Sequence, residues 1–156
     1  MDHVEIDIRA IQRGTVTAPA GCGKTQLIAH ALAGHRGNKP ILVLTHTNAG
    51  VAALRGRLDR AGVPASAYRL STIDGWAIRL ISTFPGRSAH DPEILRLAAP
   101  ARDYPAIRDA AWKLLQAGHV SEVLKASYAH LIVDEYQDCS VPQHYIVYFL
   151  SLILPT

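Results

Sequence analysis

This chain has few of the residues that build metal centres. It has two cysteines, Cys22 and Cys139, with no CxxC spacing, and its eight histidines form no HxxxH or HxH pair. Neither a zinc site nor a histidine metal site is expected. Both cysteines fall inside motifs described below, so they are read as free thiols in a reducing, cytoplasmic setting. Long hydrophobic runs are missing too. The longest apolar stretch, residues 145–155, is too short to span a bilayer, so no membrane partner is expected. The opening Met1-Asp2-His3-Val4-Glu5 is polar and acidic and does not read as a secretory leader. Strong net charge is absent as well. A value of +3 does not by itself argue for nucleic acid.

What is present fits one globular domain: 156 residues, 49% hydrophobic and 19% charged. The charge is unevenly placed. Residues 35–72 hold Arg36, Lys39, Arg55, Arg57, Arg60 and Arg69 against one acid, Asp59. Taken alone, that pattern reads as a solvated helix face.

Three short apolar runs read as buried strands: 15–18, 41–45 and 130–134. They do not alternate polar with apolar, which suits a parallel sheet covered on both faces. Helical spacing follows over 24–33, 49–60, 106–117 and 121–126. Pro85, Gly86, Pro92, Pro100 and Pro105 punctuate 84–105, which is read as loops and short helices. Ser140, Pro142 and Gln143 read as the cap, first turn and capping box of a last helix that buries Ile146, Phe149, Leu150 and Ile153. Alternating strand and helix predicts an α/β parallel sheet, with ligands beyond the carboxyl ends of its strands.

Four segments carry chemistry. The first is Ala18-Pro19-Ala20-Gly21-Cys22-Gly23-Lys24-Thr25, followed by Gln26. Small residues let backbone N–H groups turn toward a triphosphate, Lys24 supplies a charge for the β- and γ-phosphates, and Thr25 supplies a hydroxyl for Mg²⁺. A Gly-rich turn before any helix would share part of this pattern. The strand before it and the helix after it favour a nucleotide. The second segment is Asp134-Glu135-Tyr136-Gln137-Asp138 at the end of an apolar run. Asp134 suits Mg²⁺, Glu135 is placed to orient or deprotonate a hydrolytic water, and Gln137 can sense a γ-phosphate. The third is Thr45-His46-Thr47-Asn48, which can contact nucleic acid or simply cap the next helix. The fourth is Ser71-Thr72-Ile73-Asp74-Gly75-Trp76. There, Thr72 can meet a phosphate and Trp76 can stack on a base, although a lone tryptophan more often lies in a core.

In this order, the four segments resemble motifs I, Ia, Ib and II of the UvrD/Rep group of superfamily 1 DNA helicases. The Gln137-Asp138 pair after the acidic pair is the specific part. The resemblance implies a RecA-like P-loop domain, incomplete at its C-terminal side, with a short helical insertion near 82–127. It implies ATP and Mg²⁺ as cofactors and ATP-driven translocation on single-stranded DNA with duplex unwinding. Lys24, Thr25, Asp134, Glu135 and Gln137 carry over to the nucleotide side. Thr45, His46, Thr47, Asn48, Thr72 and Trp76 carry over to the DNA side.

The departures from the family pattern are specific. His46 stands where the family usually has Phe, and Asp74 where it often has His. Gln12 sits too near the loop for the family's adenine-reading glutamine. The strand carrying motif III and a second RecA-like domain do not appear before Thr156. The expectation is therefore a partial helicase domain that keeps phosphate-binding parts and depends on further domains or a partner subunit for turnover. Two other readings use the same residues: a non-catalytic nucleotide- or ssDNA-binding remnant, and another small P-loop NTPase or kinase.

Overall fold

The computed structural model describes residues 6–156. Its centre is a three-stranded parallel sheet in the order β2-β1-β3. The strands are β1 (Ile41–Thr45), β2 (Tyr68–Thr72) and β3 (His130–Val133). In register, Ile41 faces Tyr68 and His130, and Thr45 faces Thr72. Every residue of β1 is buried, as a central strand covered on both faces requires.

Because side chains alternate along a strand, β1 feeds two cores. Leu42 and Leu44 point to one face with Ile73, Leu80, Ile107, Leu131, Ile146 and Leu150. Ile41 and Val43 point to the other with Ile28, Leu32, Leu54 and Leu58. Helices α1 (Lys24–Ala33) and α2 (Asn48–Arg60) cover the second face. Helices α3 (Ile73–Thr83), α5 (Pro100–Gln116) and α7 (Val141–Ile153) cover the first. The short helices α4 (Pro85–Ser88) and α6 (Ser121–Ser127) complete the helical stretch before β3. That stretch does not stand apart from the domain, since Ile107, Ala111, Leu114 and Leu115 of α5 belong to the main core.

Several expectations hold. Ser140 and Gln143 form the capping box of α7, and both cysteines are free thiols. Others need correction. Residues 15–18 form no strand and are largely exposed, with Val16 at 40% exposure. Their neighbourhood explains this. The Gly14 N–H donates to the Thr156 carbonyl at 3.0 Å, and Thr156 donates back to the Gln12 carbonyl at 3.0 Å. Leu131 of β3 donates to Pro155 at 2.8 Å. Residues 155–156 thus lie between β3 and the stem of the loop, and 15–18 run on past them without a ladder partner among the described residues.

The prolines mislead at α5, which begins at Pro100 and runs through Pro105. Pro100 occupies the first turn, where its missing N–H costs nothing. The buried Asp103 carboxylate accepts the Ala99 N–H at 2.9 Å and secures that turn. Pro105 then removes one helical hydrogen bond, and packing of the apolar face against α3 and α7 outweighs the loss. Strand β2 and helix α3 are additions that the sequence reading does not anticipate.

Candidate active site

The carboxyl ends of β1, β2 and β3 lie side by side, and three of the four segments singled out by sequence sit there: two overlap the ends of β1 and β2, and the third follows β3. The first two share one local design. After β1, the Thr47 hydroxyl accepts the Gly50 N–H at 3.0 Å and caps α2. At the end of β2, the Thr72 hydroxyl accepts the Gly75 N–H at 2.9 Å and caps α3. In each case the oxygen takes up an orphan donor of the first turn. Each hydroxyl keeps its own hydrogen to donate to another group.

The same register forces glycine at the third helical position. A Cβ on Gly50 would stand 2.7 Å from Thr45 Oγ1, and one on Gly75 would stand 2.9 Å from Thr72 Oγ1. Thr45 is therefore a packing residue, 1% exposed beneath α2, and the expectation that it meets DNA is corrected. Trp76 is corrected likewise: at 4% exposure it is a core residue and not a stacking platform at the strand ends. Thr47 and Asn48 are exposed, and His46 and Thr72 are partly so. His46 carries the one buried side-chain polar atom without a hydrogen-bond partner among the described residues, its Nδ1.

The phosphate-loop segment runs in turns from Ala20 to Gly23 and enters α1 at Lys24. Gly21 and Gly23 have φ of 81° and 82°, a left-handed backbone that favours glycine. Gly23 caps α1 through its backbone, with its carbonyl accepting Leu27 N–H at 2.9 Å. The Lys24 ammonium donates to the carbonyl of Ala18 at 2.8 Å and of Pro19 at 3.4 Å. The lysine thus spans its own loop from the helix side. Ala18 and Thr25 are half-buried, while Pro19, Ala20, Cys22 and Gln26 are exposed.

Opposite lies the acidic segment. Asp134 extends the β3 ladder by one bond, its N–H donating to the Leu44 carbonyl at 2.8 Å. Burial raises the Asp134 carboxyl above its ordinary range, and the neighbouring Glu135 carboxylate raises it further. A hydrogen bond from the Glu135 N–H pulls in the opposite direction, followed by the charges of Lys24 and then Arg57. Lys24 therefore acts electrostatically on Asp134, although the two stand near opposite ends of the sequence. Arg57 has no signal of its own within a basic helix.

Glu135 adopts φ 54°, ψ 42°, one of three non-glycine residues with positive φ among those described. The turn Tyr136–Asp138 follows. Gln137 Nε2 donates to Glu135 Oε2, and the Tyr136 hydroxyl shares a hydrogen bond with His144 Nδ1. Glu135 is thus exposed, aimed by an unusual backbone, and held by its second neighbour.

Mg²⁺ takes oxygen ligands and commonly binds through one or two protein groups plus phosphates. The donors beside this edge fit that habit: the Asp134 carboxylate, whose charge is under-compensated, and the Thr25 hydroxyl at the start of α1. No group of three or more His, Cys, Asp or Glu among the described residues forms a metal cage. No helix of the described residues is long and apolar enough to cross a membrane.

Comparison with known proteins agrees with this chemistry. No curated protein matches the chain. A family profile described as an AAA domain matches residues 8–148, from ahead of the phosphate loop into α7. Domains of this P-loop type bind ATP with Mg²⁺. The match spans the phosphate loop, the capped helices α2 and α3, and the acidic turn. The chain belongs to this AAA-domain family of P-loop NTPases.

Proposed function

We propose that this is the ATP-binding part of a UvrD/Rep-type superfamily 1 DNA helicase, which couples ATP hydrolysis to movement on single-stranded DNA. The observation that carries the reading is a shared edge. The Asp134–Asp138 turn lies at the same end of the sheet as the two capped threonines, Thr47 and Thr72. A generic P-loop kinase has no evident use for Gln137 held on Glu135, whereas helix caps such as Thr47 and Thr72 would serve either. The placement of Pro155–Thr156 between β3 and Gln12–Gly14 also agrees with a RecA-like order, in which a further strand separates the loop strand from the acidic strand.

In this reading Lys24 releases the loop carbonyls and donates to the β- and γ-phosphates. The Gly21–Gly23 backbone and the α1 N-terminus cradle the phosphates. Asp134 and Thr25 would hold Mg²⁺, which would neutralise phosphate charge when bound. Glu135 accepts a proton from water as the water oxygen bonds to the γ-phosphorus. The bond from that phosphorus to the β–γ bridging oxygen breaks, and ADP leaves with the electron pair. Gln137 fixes the Glu135 carboxylate for this role. Arginines from a second RecA-like domain or a partner subunit would stabilise the transferring group, an effect on the order of 10³–10⁵ in rate in related systems. Thr47, Asn48 and Thr72 donate to DNA phosphates.

A binding-only role is the second reading, and residues 15–18 favour it, because the stem of the loop lies outside the sheet. One experiment bears on both. A fluorescent Mg·ATP analogue is titrated into the wild-type chain and Lys24→Ala, with and without single-stranded DNA, and phosphate release is followed in parallel. The helicase reading expects binding that Lys24→Ala removes, and release that DNA stimulates and Glu135→Gln abolishes. Binding without any release, even with a second RecA-like domain or a partner subunit supplied, would leave the binding-only role. A folded chain that binds neither nucleotide nor DNA would refute both.

A further inference from the structure

The outer edge of β2 is lined by arginine. A cavity of about 230 Å³ opens there, bordered by Arg55 of α2, Arg69 of β2, Arg79 of α3, and the rings of Tyr68, Trp76 and Tyr128. Three arginines and no acidic residue line it. The guanidinium groups of Arg55 and Arg79 make no hydrogen bond or ion pair among the described residues. Arg69 uses one nitrogen on backbone, donating to Ala65 at 3.3 Å and Tyr68 at 3.0 Å. Elsewhere among the described residues, Arg9, Arg96, Arg102 and Arg108 pair with an acid, Arg13 and Arg36 donate to backbone carbonyls, and the side chains of Arg57, Arg60 and Arg87 are unpaired but do not line this cavity.

Like charges gathered around one concavity repel each other unless an anion joins them. Guanidinium forks match the oxygens of a phosphate and can hold it from several sides. Position narrows the ligand further. β2 is an edge strand, paired with β1 on one side and with no strand on the other among the described residues. Arg69 and Thr72 lie on that same strand, about 10 Å apart at the usual rise per residue. Arg69 and Thr72 point to opposite faces of the strand, but Arg55 reaches the edge from α2 on one face and Arg79 from α3 on the other, so a chain of phosphates running down this edge from Thr72 passes these arginines.

We infer that the Arg55–Arg69–Arg79 cavity is a second phosphate-binding site that takes the backbone of a nucleic-acid strand leaving the Thr72 end of the sheet. The inference rests on the DNA-binding reading proposed above and extends it to residues outside the motifs. The site contributes affinity and salt dependence without reading base sequence.

The test titrates a single-stranded oligothymidine of about 20 nucleotides into the full chain between about 50 and 200 mM salt, the range over which phosphate contacts are exposed. It compares wild type with Arg55→Gln/Arg79→Gln and with Arg55→Lys/Arg79→Lys. The expected result is weaker binding by the glutamine variant. Its log–log salt slope should be shallower by about 0.7 for each arginine that holds a phosphate, and the lysine variant should recover most of the slope. Mg·ATP-analogue binding should be unchanged in all three, since none of these residues touches the phosphate loop. Wild type that binds DNA, with a slope the glutamine variant leaves intact, would overturn the inference and spare the DNA reading. Wild type that binds the ATP analogue but no DNA would end the DNA reading, and this inference with it. Inorganic phosphate that raises the thermal midpoint of wild type but not of the glutamine variant, with DNA binding equal in both, would assign the cavity to a free anion and also overturn it.

Discussion

The guanidinium of Arg108 grips both carboxylate oxygens of Asp74, at 2.8 and 2.6 Å, across 34 residues of sequence. Gln143, the capping residue of α7, donates to the same carboxylate at 3.2 Å. Asp74 therefore ties α3 to α5 and to the helix that follows the acidic turn. The helicase group that the motifs resemble often has histidine at this place, and here the exchange comes with a matching arginine. The bidentate bond to Asp74 holds Arg108 even more firmly protonated than usual, against the opposing pull of burial.

Removing one partner strands the other in a half-buried setting, with side chains 22% and 18% exposed. Asp74→Ala should cost about 2–3 kcal/mol, toward the low end for buried pairs because some solvent remains. Arg108→Met alone should cost a similar amount. The double variant should cost less than the sum of the two, read from urea midpoints in a double-mutant cycle. Strict additivity would mean that the pair carries no coupling.

Two glycines of one helix should respond with opposite signs. Gly56 sits mid-helix in α2, and a methyl placed there would meet only an Arg60 nitrogen, at 3.6 Å. Gly56→Ala should stabilise the domain by about 0.5–1 kcal/mol through helix propensity. Gly50→Ala drives a methyl against the buried Thr45 hydroxyl and should destabilise by about 1–3 kcal/mol. Thermal midpoints of the two variants decide this, and a gain for Gly50→Ala would show that the β1–α2 junction can yield.

These junctions mark what the sequence reveals and what it hides. β1 is legible because five apolar or half-apolar residues in a row suit a central strand. The capping box of α7 is legible because Ser140 and Gln143 bond locally. The run 15–18 has the same apolar character as a strand, yet pairing needs a neighbour, and composition does not report neighbours. β2 escapes notice because Tyr68-Arg69-Leu70-Ser71-Thr72 buries only its first residue fully, as an edge strand does. Helix α3 is readable in principle from Ile73, Trp76, Ala77, Leu80 and Ile81, all buried on one stripe. Proline spacing conceals the start of α5, where tertiary packing outweighs the lost bond. In the site, residue types point to Lys24, Asp134 and Glu135, while the roles of Thr45 and Trp76 depend on depth, which no motif encodes.

Glu135 provides a test of strain against function. An L-residue in the left-handed region costs about 1–2 kcal/mol, and glycine escapes the steric part. Glu135→Gly should therefore raise the thermal midpoint and abolish nucleotide hydrolysis. Glu135→Gln should abolish hydrolysis with little change in midpoint. A glycine variant that is less stable than wild type would mean that the Gln137 bond outweighs the backbone strain.

The Asp134 carboxyl makes stability depend on pH with a definite sign. Its folded-state value is raised, chiefly by burial and next by Glu135, so the folded protein binds this proton more tightly than the unfolded chain. Its stabilising contribution is complete below the unfolded value near 3.8 and is lost as pH rises through the raised folded value. Asp134→Asn should thus gain stability over wild type as pH climbs above 3.8 toward neutrality. Mg·ATP should reduce that gain by stabilising wild type selectively. Urea midpoints at a series of pH values check it, and a difference independent of pH would rule out the mechanism.

The bonds between Gly14, Thr156 and Gln12 have a further consequence for how the domain opens. They fasten the stem of the phosphate loop to the body through main chain, and Arg13 adds one bond to the Ser151 carbonyl at 3.0 Å. Neither hydrophobic core contains a residue from 6–23. The stem and loop can therefore peel away as one small cooperative unit while β1, β2 and β3 stay paired. Amide exchange would then report two populations within a single domain: a slow sheet, and a fast nucleotide-gripping arm whose protection is set by a few contacts, with Thr156, with Ser151 and from Arg9 to the Gly34 carbonyl.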